Sequence, residues 1–211
     1  GEEGTYDLDT AKTGAAAAAA ANARDIVDAY ADSSDYEKLV AYRDEICALT
    51  SYNDTAAGGN VDYGNPWQMI WVFDEDPATQ VVCEGYAKAF QYLCSLSDFD
   101  GNVKCWSVTG YMDGGAHMWN LVRMPNDKVY LADVTNSEED TIGGGGQLFL
   151  AGCYSGDPDS GYVFRCFFGE DAYMDCTYVY DRSIHSVFSR AQLTVSPAEY
   201  LEDDQTAVDD G

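Results

Sequence analysis

Basic residues are scarce in this sequence. Eleven lysines and arginines stand against 37 aspartates and glutamates, a formal net charge of -26 over 211 residues. Such a surface repels a phosphate backbone, so nucleic acid is excluded as an expected partner. The simple reading of the acidity is a well-solvated surface. A sharper one is a preference for basic, lysine-bearing substrates, which the sequence permits. Long apolar runs are missing too. No stretch approaches the roughly 20 residues that a bilayer-spanning helix needs, so no membrane insertion is expected. The seven cysteines include no C-x-x-C pair, which argues against a structural zinc site. Gly143 to Gly146 lacks the following Lys and Ser/Thr of a phosphate-binding loop. Asp98-Phe99-Asp100-Gly101-Asn102 and Asp157-Pro158-Asp159-Ser160-Gly161 lack the spacing of an EF-hand loop and read as acidic turns. No metal or other cofactor is expected.

What is present is a globular composition. The hydrophobic fraction is 46% and the aromatic fraction 13%, with 16 tyrosines, so disorder is not the default. Residues 1–32 read as an acidic leader followed by an alanine-rich helical segment. Residues 33–196 read as one folded domain, and 197–211 as an acidic, fraying tail. The sequence opens on Gly1 rather than Met, with a polar, acidic start. This is read as a chain whose signal peptide or anchor has been removed, hence a secreted or cell-surface location. The odd cysteine count suits one functional thiol plus up to three disulfides. It suits seven reduced thiols equally well.

The alanine run Ala15 to Ala21 predicts a helix continuing to Tyr30. Ser33-Ser34-Asp35 with Glu37 supplies the start of a second helix, ending near Thr50. Gly58, Gly59, Gly64 and Asn65-Pro66 mark a loop. Trp67 to Phe73 is a short buried segment of either type. Residues 83 to 94 place Tyr86, Ala87, Phe90, Leu93 and Cys94 at three- and four-residue steps, an amphipathic helix beginning at Cys83. After residue 102 the texture changes to strands, at 103–109, 118–124 and 129–134, then 162–168, 173–180 and 187–194. Gly143 to Gly146 reads as a linker or mobile lid. Helices followed by strands give an α+β class with an antiparallel sheet.

The start of a helix favours a thiolate, because unpaired amide N–H groups and the helix dipole stabilise negative charge there. Of the seven cysteines only Cys83 clearly has that position. A nucleophilic thiol also needs a base and a group that orients the base. Only two histidines exist. His185 lies in a polar stretch and reads as a surface residue. His117 enters a strand, and Asp133 ends the strand that returns from it. A three-residue loop, Pro125 to Asp127, pairs residue 119 with 133 and puts His117 and Asp133 on one sheet face as diagonal neighbours. A two-residue loop puts them on opposite faces. The odd-length loop is therefore predicted. Each residue also has a plain structural reading: Cys83 as a packed thiol, His117 as a strand residue, Asp133 as a strand-end residue bonded to turn backbone.

Val82-Cys83-Glu84-Gly85-Tyr86-Ala87, Gly115-Ala116-His117-Met118-Trp119-Asn120 and Leu131-Ala132-Asp133-Val134-Thr135 resemble the three motifs of the transglutaminase-like superfamily, in particular its bacterial secreted and surface members. The resemblance covers about residues 35 to 136 and fades in the flanks. It implies a papain-like fold, in which N-terminal helices include a nucleophile helix packed on the antiparallel sheet, and it makes 33–196 a catalytic domain. It implies Cys83 as nucleophile, His117 as general base and then acid, and Asp133 as the group that fixes the imidazole. The family reaction is acyl transfer through a thioester, as a peptidase or amidase or as a transglutaminase. The implied substrate is a peptide, a protein or a cell-wall peptide. The family's oxyanion donors imply the Cys83 amide and an upstream side chain, for which Tyr52, Gln80 and Trp67 are candidates. Trp119 and Tyr86 are expected to line the cleft. The alternative is a catalytically silent binding or scaffold module of the same fold at a bacterial cell surface.

Overall fold

A computed structural model describes residues 14–59, 65, 67–168 and 172–202. The expected leader at 1–13, Gly64, Pro66 and the tail beyond 202 lie outside the described residues. The chain divides into two compact units, residues 1–100 and 101–211, so the expected span 33–196 runs across both. The class is α+β, with helices in the first unit and an antiparallel sheet in the second. Among the described residues, no helix is long and apolar enough to cross a membrane.

The first unit contains α1 (Gly14–Ala29), α2 (Asp35–Leu49), β1 (Ser51–Tyr52), α3 (Asp54–Ala57), α4 (Trp67–Val72), β2 (Gln80–Val81) and α5 (Cys83–Leu96). In α1 the buried residues are Ala16, Ala19, Ala20 and Ala23, a stripe at helical spacing made wholly of small side chains. Ser34 caps α2 through a capping box with Glu37, as its sequence predicts. The same end of α2 holds the loop after α5. Lys38 Nζ donates to the Asp98 carbonyl at 2.8 Å, and the Asp100 N–H donates to Asp35 Oδ1 at 2.9 Å. The acidic stretch around Asp98 is thus a tied turn.

α5 differs from its sequence reading. Every residue from Cys83 to Cys94 is buried, so burial extends beyond the apolar face that periodicity predicts. Two of its polar members, Lys88 and Glu84, four residues apart, form a buried ion pair. Within the unit, α1, α2 and α4 all pack against it.

The second unit is a seven-stranded antiparallel sheet in the order β6-β5-β4-β3-β9-β8-β7. Its strands are β3 (Lys104–Met112), β4 (Gly115–Arg123), β5 (Val129–Ala132), β6 (Phe149–Ala151), β7 (Ser155–Asp157), β8 (Gly161–Phe167) and β9 (Tyr173–Tyr180). One sheet face carries a core that includes Trp106, Trp119, Leu121, Phe164, Tyr178 and Tyr180. β6 and β7 are three-residue edge strands, too short to show alternation in the sequence.

A strand over 187–194 is not formed. Two short helices stand there, α6 (Ile184–Val187) and α7 (Arg190–Leu193). Ser189 decides the matter: its hydroxyl accepts the Gln192 N–H while the Gln192 side chain reaches back to the Ser189 N–H. That reciprocal cap starts a helix where the apolar pattern alone suggested a strand. Gly143 to Gly146 forms consecutive turns, and a Cβ at Gly143 would lie 2.3 Å from the Asn136 carbonyl oxygen. The segment therefore packs closely against the turn that follows Asp133. All seven cysteines stand as free thiols in this structure.

Candidate functional site

The β4–β5 hairpin has the odd-length loop its sequence predicts. Asn120 pairs with Ala132, Leu121 with Leu131, Val122 with Tyr130 and Arg123 with Val129. Met124 and Lys128 close the hairpin through the Met124 N–H to the Lys128 carbonyl, leaving Pro125, Asn126 and Asp127 as the loop. Asp127 takes a positive φ of 59°, the left-handed residue that a three-residue hairpin requires. Asp127 also donates its N–H to the Met124 carbonyl, which defines the turn. This register carries His117 and Asp133 to one face.

There His117 Nε2 lies 2.7 Å from Asp133 Oδ2. Asp133 is fully buried and His117 is 7% exposed. Two further donors reach the same oxygen: the Asn136 side-chain amide at 2.8 Å and the Tyr178 hydroxyl at 2.7 Å. The Asn136 N–H approaches Asp133 Oδ1 at 3.3 Å. Burial pushes the Asp133 carboxyl up, but the adjacent imidazole and the hydrogen bonds from His117, Tyr178 and Asn136 outweigh it. The carboxyl is held below its usual range. Asp133 thus bonds the turn backbone and the imidazole together, so its two sequence readings are compatible.

The ring of His117 is steered from the other side by Trp119, which stacks on it at 5.9 Å and 20°. Trp119 in turn stacks on Tyr180 at 5.7 Å. Gly110 makes this possible. It is the cross-strand partner of both His117 and Tyr180, and a Cβ there would sit 2.8 Å from the Trp119 ring and 2.0 Å from the Val179 carbonyl oxygen. Only glycine leaves room for the indole beside the imidazole.

Cys83 belongs to the first unit. It is the first residue of α5, and the preceding Val82, in extended conformation, provides no side-chain cap. The buried Gln68 side chain of α4 accepts the Val82 N–H at 2.9 Å and so fixes the chain as it enters the helix. Gly85 lets α5 approach closely: a Cβ there would lie 2.6 Å from the Val81 side chain and 3.1 Å from the Gln68 carbonyl oxygen. Cys83 is 5% exposed.

Of the oxyanion candidates, Tyr52 pairs with Val81 in the parallel β1–β2 ladder, two residues before Cys83. Its ring lies 6.4 Å from that of Tyr86. Gln80 is exposed and donates from Nε2 to Ser51 Oγ at 3.0 Å. Trp67 opens α4 and is 40% exposed. Trp119 and Tyr86, expected to line a cleft, are both buried. His185 is an exposed residue of α6 whose ring meets Tyr180 edge-on.

No family model matches the chain, and no match was found among curated proteins. The chemistry of the site is therefore read from its residues.

With Nε2 engaged by a buried carboxylate, proton exchange between this imidazole and a reactant falls to Nδ1. A carboxylate held this way fixes the tautomer and supports the imidazolium form when it arises. Sequence reading missed three contributors. Asn136, three residues after Asp133, has the spacing of a side-chain turn, a signal that was available locally. Gln68 and Tyr178 carry no local signal. Tyr178 lies 45 residues from Asp133 and is one tyrosine among 16.

Proposed function

We propose that the chain is a cysteine-dependent acyl-transfer enzyme acting on amide bonds of peptides or proteins through a thioester, with Cys83 as nucleophile, His117 as base and acid, and Asp133 as the orienting carboxylate. The observation that carries this reading is the buried hydrogen bond from the His117 imidazole to Asp133. The placement of Cys83 as the first residue of a long helix, with no side-chain cap before it, supports the thiol's part. Both Cys83 and His117 keep a small exposed fraction.

In this reading the imidazole takes the thiol proton, and the sulfur attacks the amide carbon. The oxyanion is met by the Cys83 N–H, with Tyr52 as the best-placed side-chain candidate in the first unit. The imidazolium then gives its proton to the leaving amine. Water or a second amine releases the acyl group, giving hydrolysis or a crosslink. The transglutaminase-like superfamily is the family this chemistry resembles, and a secreted or surface setting suits a peptide or cell-wall peptide substrate.

Iodoacetamide labelling followed by peptide mapping tests the reading without a known substrate. Cys83 is expected to label about 10²-fold or more faster at neutral pH in the wild type than in His117→Ala, in keeping with the contribution of a positioned base. If Cys83 labels no faster than the exposed part of Cys47 or Cys105, and His117→Ala changes nothing, the silent binding module is the correct reading.

A further inference from the structure

Tyr178 donates its hydroxyl to the same carboxylate oxygen that His117 engages, and nothing in the three motifs points to it. We propose that Tyr178 is a positioning residue of the site: its hydroxyl, with the Asn136 amide, holds the Asp133 carboxylate in the orientation that fixes the His117 ring. This rests on the reading of His117 and Asp133 as base and orienting group.

The geometry supports it in three steps. First, the direction of the bond is set. An ionised carboxylate only accepts, so the Tyr178 hydroxyl, 2.7 Å from Asp133 Oδ2, donates. The phenol keeps its proton, because burial and then the Asp133 charge push its ionisation far above the ordinary range.

Second, the carboxylate is held at both oxygens. Oδ2 receives His117, Tyr178 and the Asn136 side chain, and Oδ1 receives the Asn136 N–H. A planar group gripped on both sides cannot turn about its terminal bond without breaking contacts. In a buried setting each lost contact leaves a polar group unsatisfied.

Third, the hydroxyl is itself aimed. The Tyr178 ring is 2% exposed and sits edge-on to Trp119 at 5.2 Å and to Phe164 at 5.3 Å. It also lies 6.1 Å from the His117 ring. The tyrosine therefore touches every part of the pair: the carboxylate by hydrogen bond, and the imidazole and the indole stacked on it by ring contact. The ionisable groups around Asp133 are His117 on β4, Tyr178 and Cys176 on β9, and Cys166 on β8. Of these, Tyr178 and His117 bond it directly.

Tyr178→Phe removes one oxygen and keeps the ring. Carboxyl-carbon NMR of the substrate-free protein follows Asp133, and ring-nitrogen NMR follows His117, with His185 as internal reference. The expected result is an Asp133 titration midpoint raised by about one pH unit, the worth of one hydrogen bond to a charge. The His117 Nε2 proton should also exchange faster. Tyr180→Phe is the packing control: its hydroxyl donates to the Leu193 carbonyl, and its loss should leave Asp133 unmoved. If Tyr178→Phe does not fold, difluorotyrosine placed at position 178 makes a stronger donor, and the Asp133 midpoint must then fall.

An unchanged Asp133 midpoint in Tyr178→Phe, or an equal shift in Tyr180→Phe, overturns the proposal. Iodoacetamide alkylation of Cys83 across pH is the companion measurement. A slow, His117-independent Cys83 would remove the proposed enzymatic function but leave the NMR result standing, so the two failures are distinguishable.

Discussion

The two units hold their candidate residues by different physics. In the first, backbone and shape do the work: a helix begins at Cys83, Gln68 holds the entering chain, and Gly85 lets α5 and its neighbours close up. In the second, side-chain hydrogen bonds do it: one carboxylate collects His117, Asn136 and Tyr178 in a buried pocket of the sheet. A steric arrangement fails by crowding. A polar network fails by leaving partners unsatisfied, and at greater cost, because every donor it loses is stranded in low dielectric.

Asp133→Ala should show the largest effect. It removes the acceptor of His117, Tyr178 and both Asn136 donors at once, in a place where Asp133 itself is fully buried. A loss of about 3–5 kcal/mol in urea unfolding of the second unit is expected, the range for breaking a buried charged contact. A loss below about 1 kcal/mol would show that water enters readily and that the network is not buried in solution.

Gly85→Ala probes the other half and should cost less, about 1–3 kcal/mol, the usual range for one methyl too many in a packed interior. The added Cβ meets the Val81 side chain, which can shift, and the backbone carbonyl of Gln68, the residue whose side-chain oxygen accepts the Val82 N–H. The start of α5 should be displaced as a result, and iodoacetamide labelling of Cys83 should change with it. Unchanged stability and unchanged Cys83 labelling would show that the close approach at Gly85 does not position the thiol.

What the sequence showed divides along the same line. Local signals were legible: the Ser34 cap with Glu37, the helix beginning at Cys83, and the three-residue loop that pairs Asn120 with Ala132. Each is decided by residues within a few positions of one another. The surroundings of those residues were not. Periodicity gave α5 an apolar face, yet burial extends all round it and takes in the Glu84–Lys88 ion pair. Tyr178 follows the alternation of β9 but nothing local tells its hydroxyl where to go. The apolar pattern at 187–194 suggested a strand, but Ser189 and Gln192, three positions apart, cap a short helix there. Cooperative placement across distant strands is a tertiary property that no local stretch of sequence states.

The smallest effect is the most specific to the network. The folded protein holds the Asp133 carboxyl below its ordinary value, the outcome of burial, which raises it, being outweighed by the imidazole charge and three donors. The unfolded chain returns it to about 3.9. Above that value both states are ionised and the full stabilisation is present. As pH falls through it, the unfolded state binds a proton first, and stability declines until the folded carboxyl is protonated as well. Each unit of depression corresponds to about 1.4 kcal/mol. Acid also relieves the repulsion of a chain carrying a formal charge of -26, but that relief is nearly common to wild type and Asp133→Asn. The stability gap between the two should therefore narrow steadily as pH falls below about 4. The counterpart in the first unit, Gly85→Ala, carries no ionisable change and should keep a constant gap from wild type over the same range. If the Asp133→Asn gap stays as flat as that of Gly85→Ala, hydrogen bonding to an ionised carboxylate is not what distinguishes the second unit from the first.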